Sequence, residues 1–217
     1  TGLWSFVETS APDGYCVDPT PKSVYVDVTE GDREYTVAAV NYEKPDMKII
    51  KRDAMSGKPI AGTVFSIKSV TGSYSTSVTT GTDGSATLSA IPAGVYVVRE
   101  ESVPEPYIVT NTEQTVALRP GKTSEVIFVD YEKPGLEIIK KNIVNGEPIE
   151  GVTYRIEQID GSFSTSATTD NHGRIFLDSV PVGTFKVTEI NVPNHVILCP
   201  IPQEVALKAG ETSTVTF

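Results

Sequence analysis

Residues 48–67, KIIKRDAMSGKPIAGTVFSI, recur 89 positions later (137 − 48 = 89) as residues 137–156, EIIKKNIVNGEPIEGVTYRI. At the same offset, TTGTDGSATLSAIPAGVYVVREESVPEPY (79–107) matches TTDNHGRIFLDSVPVGTFKVTEINVPNHV (168–196). GLWSFVETSAPDGY (2–15) matches the last third of those blocks, and the tails TVALRPGKTSEVIF and EVALKAGETSTVTF repeat as well. Such a period means one structural unit used several times. The 217 residues therefore divide into the C-terminal part of one repeat (1–45), a complete repeat (46–134) and a third (135–217) lacking the end of its last strand. Whatever the fold is, about 90 residues must suffice to make it.

Within a repeat, short segments rich in Val, Ile, Thr, Tyr and Phe are broken by turn signals at Ser56-Gly57, Asp83-Gly84, Ala93-Gly94 and Pro120-Gly121. Thr63, Phe65, Ile67 and Val152, Tyr154, Ile156 alternate with polar residues, the two-residue period of a strand with one buried face. No helical period runs through ten residues. The pattern predicts an all-β chain of tandem immunoglobulin-like sandwiches. Short Glu-Lys-Pro hinges at Pro45 and Pro134 are expected to stiffen the joints into a rod. Trp4 is expected in the core of the first repeat.

The net charge of −10 argues against nucleic acid and anionic membrane surfaces as partners. No run of 18 apolar residues offers a membrane-inserted span. The start at Thr1, with no signal peptide, reads as a mature fragment of a longer protein. Cys16 and Cys199 are too few for a disulfide framework. Small buried thiols are the expectation, with an inter-chain bridge as the alternative. His172 and His195 have no second ligand at metal spacing, and Asp83-Gly84 reads as a plain β-turn rather than a calcium loop. No metal and no cofactor are expected. Neither a Ser-His-Asp nor a Cys-His constellation is present, nor a glycine-rich phosphate loop, so turnover chemistry is not expected.

Three polar residues are out of place. Counting in twos, Met47, Ile49 and Lys51 share a strand face, as do Leu136, Ile138 and Lys140. Tyr96, Val98 and Glu100 share another, with counterparts Phe185, Val187, Glu189 and Trp4, Phe6, Glu8. Val126, Phe128 and Asp130 share a third, and Val37, Ala39 and Asn41 hold the equivalent places in the first repeat. Each apolar stripe thus ends in a charge or an amide. One reading is a buried ion triad that fixes register at little net gain in stability. The other is chemical: an amine sealed in an apolar pocket is held neutral and nucleophilic, a buried carboxyl relays protons, and an Asp or Asn carbonyl accepts the attack.

The segments IIKRDAMSGKPIAGTVFSI, YVVREESVPEPY, SFVETSAPDGY and FVDYEKP resemble the B-type (Cna-B) repeats of Gram-positive surface adhesins and pilins. They are similar above all to the fibronectin-binding adhesin domain used as a tag and catcher pair. The resemblance covers essentially the whole chain. It implies a spontaneous Lys–Asp or Lys–Asn isopeptide bond assisted by a Glu. By that likeness Lys51 is the nucleophile, Glu100 the assisting acid and Asp130 the electrophile. Lys140 and Glu189 match in the third repeat, with their electrophile expected beyond Phe217; Glu8 and Asn41 match in the first, with their lysine expected before Thr1. The family's Pro-x-Gly-Tyr turn becomes Pro-Glu-Pro-Tyr at Pro104 and Pro-Asn-His-Val at Pro193. The function so implied is a structural stalk at the surface or cell wall of a Gram-positive bacterium, with neighbouring repeats of the same protein as partners. Direct binding of host extracellular matrix, or polymerisation with other copies of itself into a pilin filament, are the alternatives.

Overall fold

A computed structural model describes residues 1–31 and 33–217. The chain packs as two compact units. The first comprises Thr1–Arg52, Lys58–Ser102 and Asn111–Val129; the second comprises Asp53–Gly57, Val103–Thr110 and Asp130–Phe217. The regular elements of the described residues are all strands, apart from one 3-10 turn at Val28–Glu30.

Strands β1 (Gly2–Phe6) and β2 (Lys22–Val26) form an antiparallel two-stranded sheet, in register from Gly2 opposite Val26 to Phe6 opposite Lys22. Trp4 departs from expectation: it is 60% exposed, and Leu3 and Phe6 are exposed with it. The physical reason is that a two-stranded sheet has no second layer to cover its apolar face. Val37, Ala39 and Asn41 also differ from expectation, since no strand runs through residues 33–42. That segment makes no ladder of its own and is held by single contacts: Asp27 N–H donates to the Tyr35 hydroxyl, which donates to Asp27 O, and Cys16 N–H donates to Tyr42 O.

The complete repeat continues with β3 (Asp46–Asp53), β4 (Val64–Ser69), β5 (Ser75–Thr79), β6 (Ser85–Leu88), β7 (Gly94–Ser102), β8 (Tyr107–Ile108), β9 (Glu113–Leu118) and β10 (Thr123–Glu132). In the first unit one sheet runs β6-β3-β10 and the other β5-β4-β7-β9. Between them lies a core of Met47, Ile49, Phe65, Ile67, Tyr96, Val98, Val126 and Phe128, with Ile91 and Leu118 beside it. The Phe65 and Phe128 rings meet across it at 4.8 Å. Strand β3 buries every second residue from Met47, so the two-residue period carries Lys51 into the interior along with Met47 and Ile49.

In the second unit Tyr131 and Glu132, at the end of β10, pair with Ile108 and Tyr107 of β8. There follow β11 (Gly135–Ile139), β12 (Thr153–Gln158), β13 (Ser164–Thr168), β14 (Arg174–Leu177), β15 (Gly183–Asn191), β16 (Gln203–Leu207) and β17 (Thr212–Thr216). The sheets β14-β11-β17 and β13-β12-β15-β16 enclose Leu136, Ile138, Tyr154, Ile156, Phe185 and Val187. Strands β11 and β17 run parallel over five residue pairs, from Gly135 with Thr212 to Ile139 with Thr216. The departures from Pro-x-Gly-Tyr leave the turn intact. Tyr15, Tyr107 and Val196 each donate an N–H to the proline three residues before, Pro12, Pro104 and Pro193.

Candidate functional site

Lys51 is fully buried, and its Nζ lies 2.7 Å from Oε1 of an equally buried Glu100. Two features of the fold aim these side chains. The first is a β-bulge: β4 and β7 pair Val64 with Ser102 but Phe65 with Glu100, so one extra residue is accommodated just past the glutamate. Bulges re-aim side chains at the edges of functional sites, and this one recurs in β12 and β15 between Thr153 and Tyr154. The second is the turn at Gly84. Lys51 N–H donates to Gly84 O at 2.7 Å, and Ile60 N–H donates to Lys51 O at 3.1 Å. Gly84 has φ +70°, and a Cβ there would stand 2.5 Å from Lys51 O. Only glycine permits both that dihedral and that approach. Gly173, at φ +67°, holds the backbone of Lys140 in the same way.

Asp130 is fully buried in β10, the strand beside β3 in its sheet. Its Oδ1 accepts two hydrogen bonds from one residue, the N–H of Thr110 at 2.9 Å and the Oγ1–H of Thr110 at 3.1 Å. Its main-chain oxygen accepts from Ala54 N–H.

The equivalent groups in the other repeats are brought together too. Lys140 Nζ lies 2.7 Å from Glu189 Oε2, which also accepts the Tyr154 hydroxyl at 3.1 Å, while Glu189 Oε1 accepts Cys199 N–H at 3.0 Å. Burial pushes the Tyr154 phenol above its ordinary range, and the neighbouring Glu189 charge pushes it the same way. An open cleft of about 1260 Å³ lies beside this pair, lined in part by Ile143, Val196, Cys199 and Phe217. In the first repeat Asn41 Nδ2 donates to Glu8 Oε1 at 2.6 Å and to Cys16 O at 3.3 Å. Glu8 Oε2 accepts Asp18 N–H at 2.7 Å. Both are half-buried.

The cysteines correct the sequence expectation of small buried thiols: Cys16 is half-buried and Cys199 exposed, and both are free. Each lies in the loop that supplies main-chain partners to a site polar group, where the loop's course, not apolar packing, sets exposure. Asp83 accepts from Ser85 N–H and Oγ–H, closing its own turn, and those bonds hold its carboxyl below the usual range. Thr110 and Tyr154 shape the site, yet no apolar stripe singled them out for it. The available signals were their offsets: Tyr154 stands 89 residues after Phe65, and Thr110 ten after Glu100.

Lys51, Glu100 and Asp130 are thus all withdrawn from water. Residues 45–132 and again residues 134–217 match the SpaA prealbumin-like fold domain. The chain belongs to that family. It carries two such prealbumin-like domains in tandem, in agreement with the resemblance drawn from the repeat motifs. No curated protein matches the sequence significantly. Among solved structures, the shaft pilin SpaA of Lactobacillus rhamnosus GG is 16% identical at a TM-score of 0.46, the match covering 79% of this chain and 96% of the pilin. The minor pilin of Streptococcus agalactiae is 14% identical at 0.42, covering 80% and 94%. The TIE protein of Bacillus anthracis is 23% identical at 0.44, covering 82% of this chain, which spans about a third (34%) of that one.

Proposed function

We propose that this chain is a stalk segment of a Gram-positive surface adhesin or pilus-like protein, and that its complete prealbumin-like domain locks itself with a Lys51–Asp130 isopeptide bond. Membership of the prealbumin-like family supports the structural role. The observation that carries the bond is the sealed Lys51–Glu100 pair, with a fully buried Asp130 on the strand beside β3. A buried ion pair adds little net stability by itself. Its chemical use gives a reason for keeping three ionisable groups in an apolar core. The neutral amine attacks Asp130 Cγ, Glu100 carries the proton from nitrogen to the departing oxygen, and water leaves. The reaction runs once per molecule and acts on no other substrate. Its partners are neighbouring repeats and other subunits of the same surface assembly, outside the cell. Intact mass tests the reading. The folded chain weighs one water less than its sequence, and a tryptic digest yields the peptides of Lys51 and Asp130 joined. An unmodified mass in the folded chain overturns it.

A further inference from the structure

The residue ten positions after the site glutamate presents its main-chain N–H to a site carboxyl in all three repeats (8 + 10 = 18, 100 + 10 = 110, 189 + 10 = 199). In the first and third repeats the acceptor is the glutamate: Asp18 N–H donates to Glu8 Oε2 at 2.7 Å, and Cys199 N–H to Glu189 Oε1 at 3.0 Å. In the complete repeat the same amide serves the other carboxyl. Thr110 N–H donates to Asp130 Oδ1 at 2.9 Å, and the threonine hydroxyl, which Asp18 and Cys199 lack, adds a second bond to that oxygen at 3.1 Å.

We infer that Thr110 is the oxyanion donor of the crosslinking reaction, an assignment that rests on the Lys51–Asp130 reading above. Two donors converge on Oδ1 of Asp130. Oδ1 is held as the carbonyl oxygen, and Oδ2 is the one that departs. With Lys51 as a neutral amine and Asp130 protonated on Oδ2, the Nζ–Cγ bond forms as the Cγ=Oδ1 π pair moves onto Oδ1. The negative charge therefore develops where the Thr110 N–H and Oγ1–H already point, so little reorganisation accompanies it. Glu100 takes a proton from Nζ and gives it to the Oδ2 hydroxyl. The Cγ–Oδ2 bond breaks, Oδ2 leaves as water, the Cγ=Oδ1 double bond re-forms and Glu100 is again a carboxylate.

The test follows water loss in time. The full chain is made by cell-free synthesis, quenched in acid at intervals and weighed, alongside Thr110→Val, which keeps the N–H and loses the hydroxyl, and Thr110→Ser, which keeps both. Circular dichroism checks the fold of each. Thr110→Val is expected to lose water at least about tenfold more slowly than the parent, and Thr110→Ser at the parental rate. Crosslinking of Thr110→Val at the parental rate overturns the assignment while leaving the isopeptide intact. So does a Thr110→Ser variant as slow as Thr110→Val, because rescue by a hydroxyl separates donation from shape. A parent chain that never loses water overturns the underlying bond, and the Thr110 role with it.

Discussion

Positions 65 and 154 differ by one oxygen, and that oxygen changes the surroundings of a glutamate. Phe65 lies opposite Glu100 in the β4–β7 ladder, and Tyr154 opposite Glu189 in β12–β15, where its hydroxyl binds the carboxylate. Tyr154→Phe is expected to cost about 1.5–3 kcal/mol, the range for a hydrogen bond to a charged group, measured by denaturant unfolding. The same phenol sets an alkaline limit. Its folded pKa is raised above the ordinary 10.0, so the unfolded chain loses that proton first. The stabilisation is complete below pH 10 and falls as pH rises beyond it. Melting temperatures between pH 9 and 11 should fall less steeply in Tyr154→Phe. At Glu100, replacement by Gln is expected to preserve the sandwich and leave the chain at its unmodified mass. The three polar positions at the ends of apolar stripes were legible in the sequence because strand alternation alone dictates which face they share. Tyr154 and Thr110 were not, because their partners depend on a bulge and on a loop crossing to another strand, neither of which leaves a periodic trace.

Among the elements, the turn at Gly84 ranks with the strands in placing Lys51. Alternation in β3 determines that Lys51 points inward; hydrogen bonds to Gly84 and from Ile60 fix its height along the strand. In Gly84→Ala the new Cβ meets Lys51 O at 2.5 Å, Pro59 Cβ at 2.8 Å and Ile60 N at 3.0 Å, in a dihedral region that also disfavours alanine. A destabilisation above about 1 kcal/mol is expected, together with slower crosslinking, read by urea unfolding and by intact mass. Gly31→Ala, also at positive φ but with no atom within 4 Å, is the control for dihedral strain alone. The sandwiches were readable from turn spacing and period because both layers of each core come from nearby sequence. The segment through Val37 and Ala39 carried the same alternation, yet it forms no strand. Period specifies a face, and a strand also requires a neighbour to pair with.

For the whole molecule, the proposed crosslink would separate two kinds of persistence. Closing the 79-residue interval between Lys51 and Asp130 (130 − 51 = 79) by the proposed bond would restrict the unfolded chain and, by the loop-entropy relation, stabilise the fold by roughly 4.5 kcal/mol. Lys51→Arg places a cation beside Glu100 and removes the proposed nucleophile. It is expected to lose a stabilisation of that order in chemical denaturation, and a proteolytic fragment spanning 46–132 that survives boiling in the parent should disappear. The parallel β11–β17 ladder has a separate mechanical consequence. The entry of β11 and the exit of β17 lie at opposite ends of that five-pair register. Pulling the two ends apart therefore loads its hydrogen bonds in shear, all at once, whereas a hairpin pulled from its open end peels one bond at a time. Lys140 follows β11 directly, and the bonds from Lys141 N–H to Phe217 O and from Phe217 N–H to Ile139 O extend the ladder to the lysine. Rupture under a pulling probe attached at residues 135 and 217 is thus expected as a single abrupt event.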